Sequence, residues 1–146
     1  MNLSDIKSIG ILGAGVMGGG IAQCAIQAGK QVIIRDLSDE ILETTKDTIL
    51  NSRFGFNNAV KMGKMTQDDV DKAMSLLSYT TDVNDLKDCD LIIEAIGGGA
   101  DGAIENKPLK LKVWEEMDQV VKPEAAFASN TSMFTIADLA AVTNRK

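Results

Sequence analysis

The stretch IGILGAGVMGGGIA at residues 9–22 decides the fold, because an apolar run passes directly into the glycine pattern GxGxxG at Gly13, Gly15 and Gly18. Gly13 permits a tight turn, Gly15 lets backbone amides come close to a pyrophosphate, and Gly18 allows a helix to pack against the preceding strand. Val16 and Met17 then contribute first-turn amides at the positive end of that helix. The stretch therefore predicts a dinucleotide-binding strand–loop–helix unit.

A second strand is predicted at Gln31–Arg35, and Asp36 follows it, 18 residues after Gly18. A carboxylate at this place accepts hydrogen bonds from the adenosine ribose and repels a 2′-phosphate, which favours NAD over NADP. Arg35 leaves the other choice open, because a guanidinium beside the ribose could bind a phosphate or stack on adenine.

Further along the chain, short apolar runs alternate with longer amphipathic ones, as in parallel sheets with crossover helices. The predicted strands are Ser8–Leu12, Gln31–Arg35, Tyr79–Thr81, Asp90–Ala95 and Ala126–Ser129. The predicted helices are Val16–Ala28, Asp39–Ser52, Thr66–Leu77, Pro108–Val121 and Phe134–Ala141. Residues 53–64, RFGFNNAVKMGK, interrupt this alternation and predict a helical excursion after the second strand. We therefore predict an α/β fold with a Rossmann-type doubly wound parallel sheet, forming one domain over residues 1–146.

The amino-acid composition excludes several classes of function. The 146 residues carry 15 Lys and Arg against 21 Asp and Glu, and this net charge of −6 argues against nucleic acid or an anionic membrane as the main partner. No apolar run reaches the ~18 residues of a membrane span. The absence of histidine excludes His-ligated metal sites and imidazole bases within these residues, and we expect no metal site. Cys24 and Cys89, far apart, predict two buried thiols in a reducing, cytoplasmic setting.

The segment GGGADGA at residues 97–103 follows the fourth predicted strand and has no amphipathic pattern. Deleting it joins Ile96 to Ile104 in the smooth run LIIEAIIENK. We interpret the segment as a flexible insertion, either natural or engineered.

Residues 129–132, SNTS, follow the fifth predicted strand. Since the carboxyl ends of parallel strands face the ligand crevice, Asn130 and Ser132 could reach a nicotinamide ring or a substrate oxygen. Taken alone, the same four residues are more simply interpreted as a helix N-cap.

Five motifs in order resemble the amino-terminal domain of the L-3-hydroxyacyl-CoA dehydrogenases, most of all the bacterial (S)-3-hydroxybutyryl-CoA type. They are IGILGAGVMGGGIA at 9–22, RDLS at 35–38, DLIIEAI at 90–96, IENKPLKLKVW at 104–114 and ASNTS at 128–132. The resemblance implies a Rossmann domain followed by a helical domain that dimerises and covers the substrate. It also implies reversible hydride transfer between NAD and the 3-hydroxyl carbon of an acyl-CoA, in fatty acid metabolism.

The resemblance also implies roles for individual residues. The three motif glycines hold the pyrophosphate and Asp36 the adenosine ribose, while Glu105 and Lys110 approach the nicotinamide-side ribose near Ile96. Ser132 hydrogen-bonds the substrate oxygen, with Asn130 in the same turn. Ser52 and Lys61 are weaker candidates for contact with CoA, and a solvated Lys61 is the simpler interpretation.

Two departures from the family limit this expectation. The family's general base is a histidine that lies beyond the point where this sequence stops at Lys146. Because loss of a general base typically lowers the reaction rate ~10²–10⁴-fold, we expect negligible turnover from these residues alone. The segment at 97–103 could also displace Glu105 or leave it mobile.

Two alternatives remain open. One is a non-catalytic dinucleotide-binding module or engineered scaffold with a grafted loop at 97–103. The other is a β-hydroxyacid dehydrogenase of the 6-phosphogluconate type, which shares the glycine motif but fits Arg35-Asp36 and SNTS less well. Without the family's helical domain, apolar surface that this domain normally covers is expected to be exposed, which would favour a homo-oligomer.

Overall fold

One sheet of five parallel strands forms the centre of the fold. The computed structural model describes residues 2, 4–97 and 105–145. Its strands are β1 (Ser8–Leu12), β2 (Gln31–Arg35), β3 (Leu77–Thr80), β4 (Leu91–Glu94) and β5 (Ala126–Ser129). They lie in the order β3-β2-β1-β4-β5, which confirms the predicted doubly wound sheet. The order reverses between β1 and β4, and this switch point opens the ligand crevice at their carboxyl ends.

Six helices connect and flank the strands in the described residues. They are α1 (Val16–Gln27), α2 (Asp39–Asn51), α3 (Phe56–Lys61), α4 (Gln67–Met74), α5 (Lys107–Val120) and α6 (Ile136–Ala140), with a short 3₁₀ turn at Val83–Leu86. The predicted end of α4 at Leu77 is wrong, because Leu77 pairs with Val32 of β2 and begins β3. The predicted start of the last helix at Phe134 is also wrong. Thr135 caps α6 by accepting a hydrogen bond from the Asp138 amide, so SNTS is not the N-cap.

The helical excursion predicted at residues 53–64 contains α3, and α4, which was predicted separately, follows it. Phe56, the first residue of α3, is fully buried in the core and anchors this segment to the sheet. Thr66 and Asp69 form a reciprocal capping box at the start of α4, in which each side chain accepts a hydrogen bond from the other's backbone amide. The excursion is therefore an ordered part of the domain.

The core lies on both faces of the sheet. On one face Ile11 and Ile34 pack with residues of α1, α2 and α3, and on the other Ile92 packs with Met117 of α5. Trp114 is buried and meets Phe127 edge to face, at 5.5 Å between ring centroids.

The two cysteines differ in environment. Cys89 is buried as expected, and its burial raises the pKa of the thiol to about 11. The prediction of a buried Cys24 is wrong, because this residue is exposed on α1.

Asp90 ties together the amino ends of two central strands. Its carboxylate accepts hydrogen bonds from the amides of Lys7 and Ser8, at 2.8 and 2.9 Å, and from Lys122 Nζ at 2.5 Å. These bonds, that from Lys122 foremost, hold the pKa of Asp90 well below its usual range.

Within the described residues, no helix combines the length and the apolar character needed to cross a bilayer. The predicted insertion lies outside the described residues except for its first residue, Gly97.

Candidate functional site

The glycine loop, Gly13–Gly18, joins β1 to α1 at the switch point of the sheet. Gly13 has φ +98°, a left-handed conformation that favours glycine, and a Cβ on Gly18 would lie 1.8 Å from the Gly13 carbonyl oxygen. Gly15 is different, since its φ is −68° and an added Cβ would meet no atom within 4 Å. The protein's own packing explains two of the three glycines, whereas the open space at Gly15 fits a ligand that approaches the backbone.

The amino end of α1 is available to an anion. Gly15 is its N-cap residue, and no side chain in the described part of the chain caps this helix. The amides of Val16, Met17 and Gly18 have no partner within the helix, as in the first turn of any α-helix. The Val16 side chain is 85% exposed, so solvent or a ligand can reach this turn. These donors and the helix dipole suit a pyrophosphate.

Asp36 links the end of β2 to the glycine loop. One carboxylate oxygen accepts a hydrogen bond from the Ala14 amide at 2.6 Å, and the other accepts one from the Leu37 amide at 2.6 Å. Each carboxylate oxygen has a second lone-pair direction, so Asp36 can also accept hydrogen bonds from the two hydroxyls of a ribose.

A cleft of about 540 Å³ extends from the glycine loop between β2 and α5. Asp36 and Leu37 line one side of it, and Leu109 and Val113 of α5 line the other, with Ile96 also in the wall. The walls are mostly apolar, and the charged side chains among them are Arg35, Asp36, Lys112 and Glu116. Apolar walls with a few charged groups, the Asp36 carboxylate among them, suit an adenosine.

Arg35 also lines this cleft, but its Nε donates to the Thr81 carbonyl at 3.3 Å. The guanidinium is thus anchored beyond the end of β3. The Asp36 carboxylate is the group that contacts the glycine loop, which agrees with the preference for NAD.

A buried polar cluster lies where β4 and β5 end. Lys110 and Glu94 are 2% and 1% exposed, and Lys110 Nζ donates to Glu94 Oε1 at 2.7 Å and to the Ile96 carbonyl at 2.9 Å. The Ser129 hydroxyl donates to the other Glu94 oxygen at 2.6 Å. Lys110 Nζ also lies 3.4 Å from Glu105, so three oxygens surround this ammonium. The cluster fixes the first turns of α5 relative to the sheet.

Glu105 joins the buried cluster to the exposed SNTS turn. One of its oxygens accepts hydrogen bonds from the Ser132 amide at 2.9 Å and the Ser132 hydroxyl at 3.3 Å. A hydrogen bond from Thr131, with the Ser132 amide and the Lys110 ammonium, holds the pKa of Glu105 below its usual range, although burial acts in the opposite direction. Asn130 is exposed beside them, and its backbone N–H donates to the Glu94 backbone carbonyl at 2.8 Å.

The structure thus brings Glu105, Lys110 and Ser132 together, as expected if they share a site. Glu94 and Ser129 complete the cluster and were not predicted as site residues from the sequence. A charged residue within the apolar run DLIIEAI was the available signal for Glu94, because a carboxylate inside a buried strand needs a partner.

Ser52 and Lys61 lie in or beside the excursion, away from these contacts. Ser52 is half-buried at the end of α2, and Lys61 is exposed in the last turn of α3. Among the described residues, neither side chain hydrogen-bonds to another predicted site residue, so contact with CoA stays a prediction.

Comparison with known proteins agrees with this geometry. Residues 8–146 match the family described as 3-hydroxyacyl-CoA dehydrogenase, NAD binding domain. A 3-hydroxybutyryl-CoA dehydrogenase of Mycobacterium tuberculosis is 37% identical over 145 residues, which are 98% of this chain and 47% of that protein. A probable 3-hydroxybutyryl-CoA dehydrogenase of Deinococcus radiodurans is 39% identical over 136 residues, 93% of this chain and 45% of that protein.

A comparison with solved structures finds similarity to the same group of enzymes. The crystal structure of (S)-3-hydroxybutyryl-CoA dehydrogenase from Ralstonia eutropha superimposes with a TM-score of 0.86 at 37% identity, and the match covers 96% of this chain and 46% of that one. The chain therefore spans about half the length of the relatives it matches.

Proposed function

Because the chain belongs to the 3-hydroxyacyl-CoA dehydrogenase family and is similar to its NAD-binding domain, we propose that it holds NAD for hydride transfer to or from the 3-hydroxyl carbon of an acyl-CoA. When bound, NAD accepts or supplies the hydride. The observation that carries the proposal is the combination of an uncapped α1 amino terminus, open space at Gly15 and a carboxylate at Asp36. The first two suit a pyrophosphate, and the third suits a ribose.

At the other end of the crevice, the SNTS turn supports binding of the substrate oxygen. Ser132 is exposed and its hydroxyl is held by Glu105, so it can turn its proton or its lone pair to a carbonyl or hydroxyl oxygen. Asn130 offers an exposed amide in the same turn. Glu105 and Lys110 then approach the nicotinamide-side ribose, and Ser52 and Lys61 contact CoA.

These residues do not include a proton acceptor of the usual kind. The 146 residues contain no histidine, so no imidazole can take the hydroxyl proton as the hydride leaves. We propose that this chain alone binds NADH but turns over acyl-CoA negligibly. Mixing it with acetoacetyl-CoA and NADH should leave the near-ultraviolet absorbance of NADH unchanged, and a rapid fall would contradict the missing-base argument.

Binding itself is tested by titrating NADH and NADPH and following nicotinamide fluorescence. We expect saturable NADH binding with a Kd on the order of micromolar, and NADPH binding at least about tenfold weaker because of repulsion from Asp36. Asp36→Ala should weaken NADH binding and remove the discrimination. Asp39→Ala removes an exposed carboxylate in the first turn of α2 and serves as the matched control.

The alternative of a non-catalytic scaffold with a grafted loop at residues 97–103 makes the opposite prediction. If the wild-type chain shows no saturable binding of either dinucleotide, that alternative replaces the proposed function.

A further inference from the structure

Thr45 of α2 is a buried polar residue outside the predicted site. It is 4% exposed, and its hydroxyl donates to the Ala14 carbonyl in the glycine loop as well as lying 3.0 Å from the Ile41 carbonyl. Two other threonines of the same helix, Thr44 and Thr48, are exposed and bond only to carbonyls of α2, each at 2.9 Å. Thr45 is therefore distinguished by a contact with the loop rather than by residue type.

The contact between Thr45 and the Ala14 carbonyl determines where the neighbouring Gly15 N–H points, because both groups belong to one peptide unit. The Ala14 carbonyl and the Gly15 N–H belong to one planar peptide, and no cis peptide occurs among the described residues. In a trans peptide the C=O and the N–H point in opposite directions. A carbonyl held against α2 therefore directs the Gly15 N–H away from α2. The hydrogen bond at the carbonyl also polarises the peptide and strengthens that N–H as a donor.

We propose that Thr45 is a positioning residue for the dinucleotide: it fixes the Ala14–Gly15 peptide so that the Gly15 N–H faces the phosphates. This inference rests on the proposed function. The preceding peptide is fixed as well, because the Ala14 N–H donates to Asp36 at 2.6 Å. Groups from α2 and from the end of β2 thus hold both peptides that flank Ala14.

Gly19 supports the same arrangement from α1. A Cβ added at Gly19 would lie 3.1 Å from Thr45 Cγ2, so the lack of a side chain there lets Thr45 come close to the loop. The adjacent Gly20 is exposed, and a Cβ added there would meet nothing within 4 Å. These two glycines provide a second pair of substitutions with opposite expectations.

The test compares Thr45→Val, which keeps the shape and removes the hydroxyl, with Thr48→Val as the matched control. We expect Thr45→Val to raise the Kd for NADH about five- to tenfold, the effect of losing one hydrogen bond, and Thr48→Val to leave it unchanged. Thr45→Ser restores the hydroxyl and should bind within about twofold of wild type. In the ligand-free chain, the Gly15 amide resonance should shift in Thr45→Val and stay in place in Thr48→Val.

Equal NADH affinity in the two valine variants, or an unmoved Gly15 resonance in Thr45→Val, would overturn the inference while the proposed function stands. If Thr45→Val does not fold, Gly19→Ala against Gly20→Ala decides: weaker binding in the first alone supports the inference, and equal binding overturns it. If the wild-type chain does not bind NADH, the proposed function and this inference fall together.

Discussion

Replacing Gly15 with alanine should change the affinity for a dinucleotide strongly while changing the stability of the fold little. The residue has φ −68°, and an added Cβ would meet no atom within 4 Å, so alanine fits the ligand-free chain. Alanine is a poorer N-cap than glycine by about 0.5–1 kcal/mol. It also loses less backbone entropy on folding, which offsets about 0.4–1 kcal/mol. We therefore expect the free energy of unfolding to stay within about 1 kcal/mol of wild type, a Tm shift of about 3 °C or less.

The effect on binding should be much larger. A methyl group at position 15 occupies the space through which a pyrophosphate approaches the first-turn amides. Loss of two hydrogen bonds to a charged phosphate, at about 1.5–3 kcal/mol each, amounts to about 3–6 kcal/mol. The Kd for NADH should therefore rise about 10²- to 10⁴-fold.

Nicotinamide fluorescence and thermal unfolding followed by circular dichroism measure the two quantities on the same samples, with Gly20→Ala as a control for adding a methyl group to α1. If Gly15→Ala binds NADH as tightly as wild type, the pyrophosphate does not lie at Gly15 and the reasoning is refuted. A Tm lower by more than about 10 °C would refute the packing argument instead.

Three other predictions concern stability. Urea unfolding measures the variants that fold, and circular dichroism shows whether a variant folds at all. Gly20→Ala should raise the free energy of unfolding by about 0.5–1 kcal/mol, because alanine has a higher helix propensity than glycine at this exposed position. Gly18→Ala should instead prevent folding, because its Cβ would lie 1.8 Å from the Gly13 carbonyl oxygen. Lys110→Met should cost about 3–5 kcal/mol by leaving Glu94 buried without its cation, and adding Glu94→Gln should recover part of that loss; strict additivity would contradict this coupling. The folded-state pKa of Asp90 is lowered, so its contribution is complete above the ordinary value of 3.8 and disappears as the pH falls through the folded value. Asp90→Asn should therefore be less stable at neutral pH and lose less stability than wild type below about pH 4; a parallel acid loss in both would contradict it.

The parts of the fold that were predictable are those with a local cause. The turn at Gly13 and the helix that follows it are fixed by neighbouring residues, and β1 and β2 match their predicted bounds. The capping box at Thr66 was visible because its two residues are three positions apart.

The rest depends on contacts between distant segments. Glu94 and Lys110 are 16 positions apart, and Glu94 and Ser129 are 35 apart, so no local pattern predicts their meeting. An apolar residue such as Leu77 fits either the end of a helix or the start of a strand. It begins β3 because it pairs with Val32 of β2. Cys24 lies outside the α1 face formed by Ala22 and Ile26, and composition alone could not show this.

Two charged groups stand at opposite ends of the same strand. Asp90 precedes β4 and Glu94 ends it, so about 13 Å of extended chain separates the salt bridge to Lys122 from the salt bridge to Lys110. Substitutions more than about 10 Å apart with no shared partner usually act additively. Substitutions at Asp90, at the amino end of β4, could therefore change the acid stability of this domain without changing its affinity for a nucleotide at the carboxyl end of the sheet.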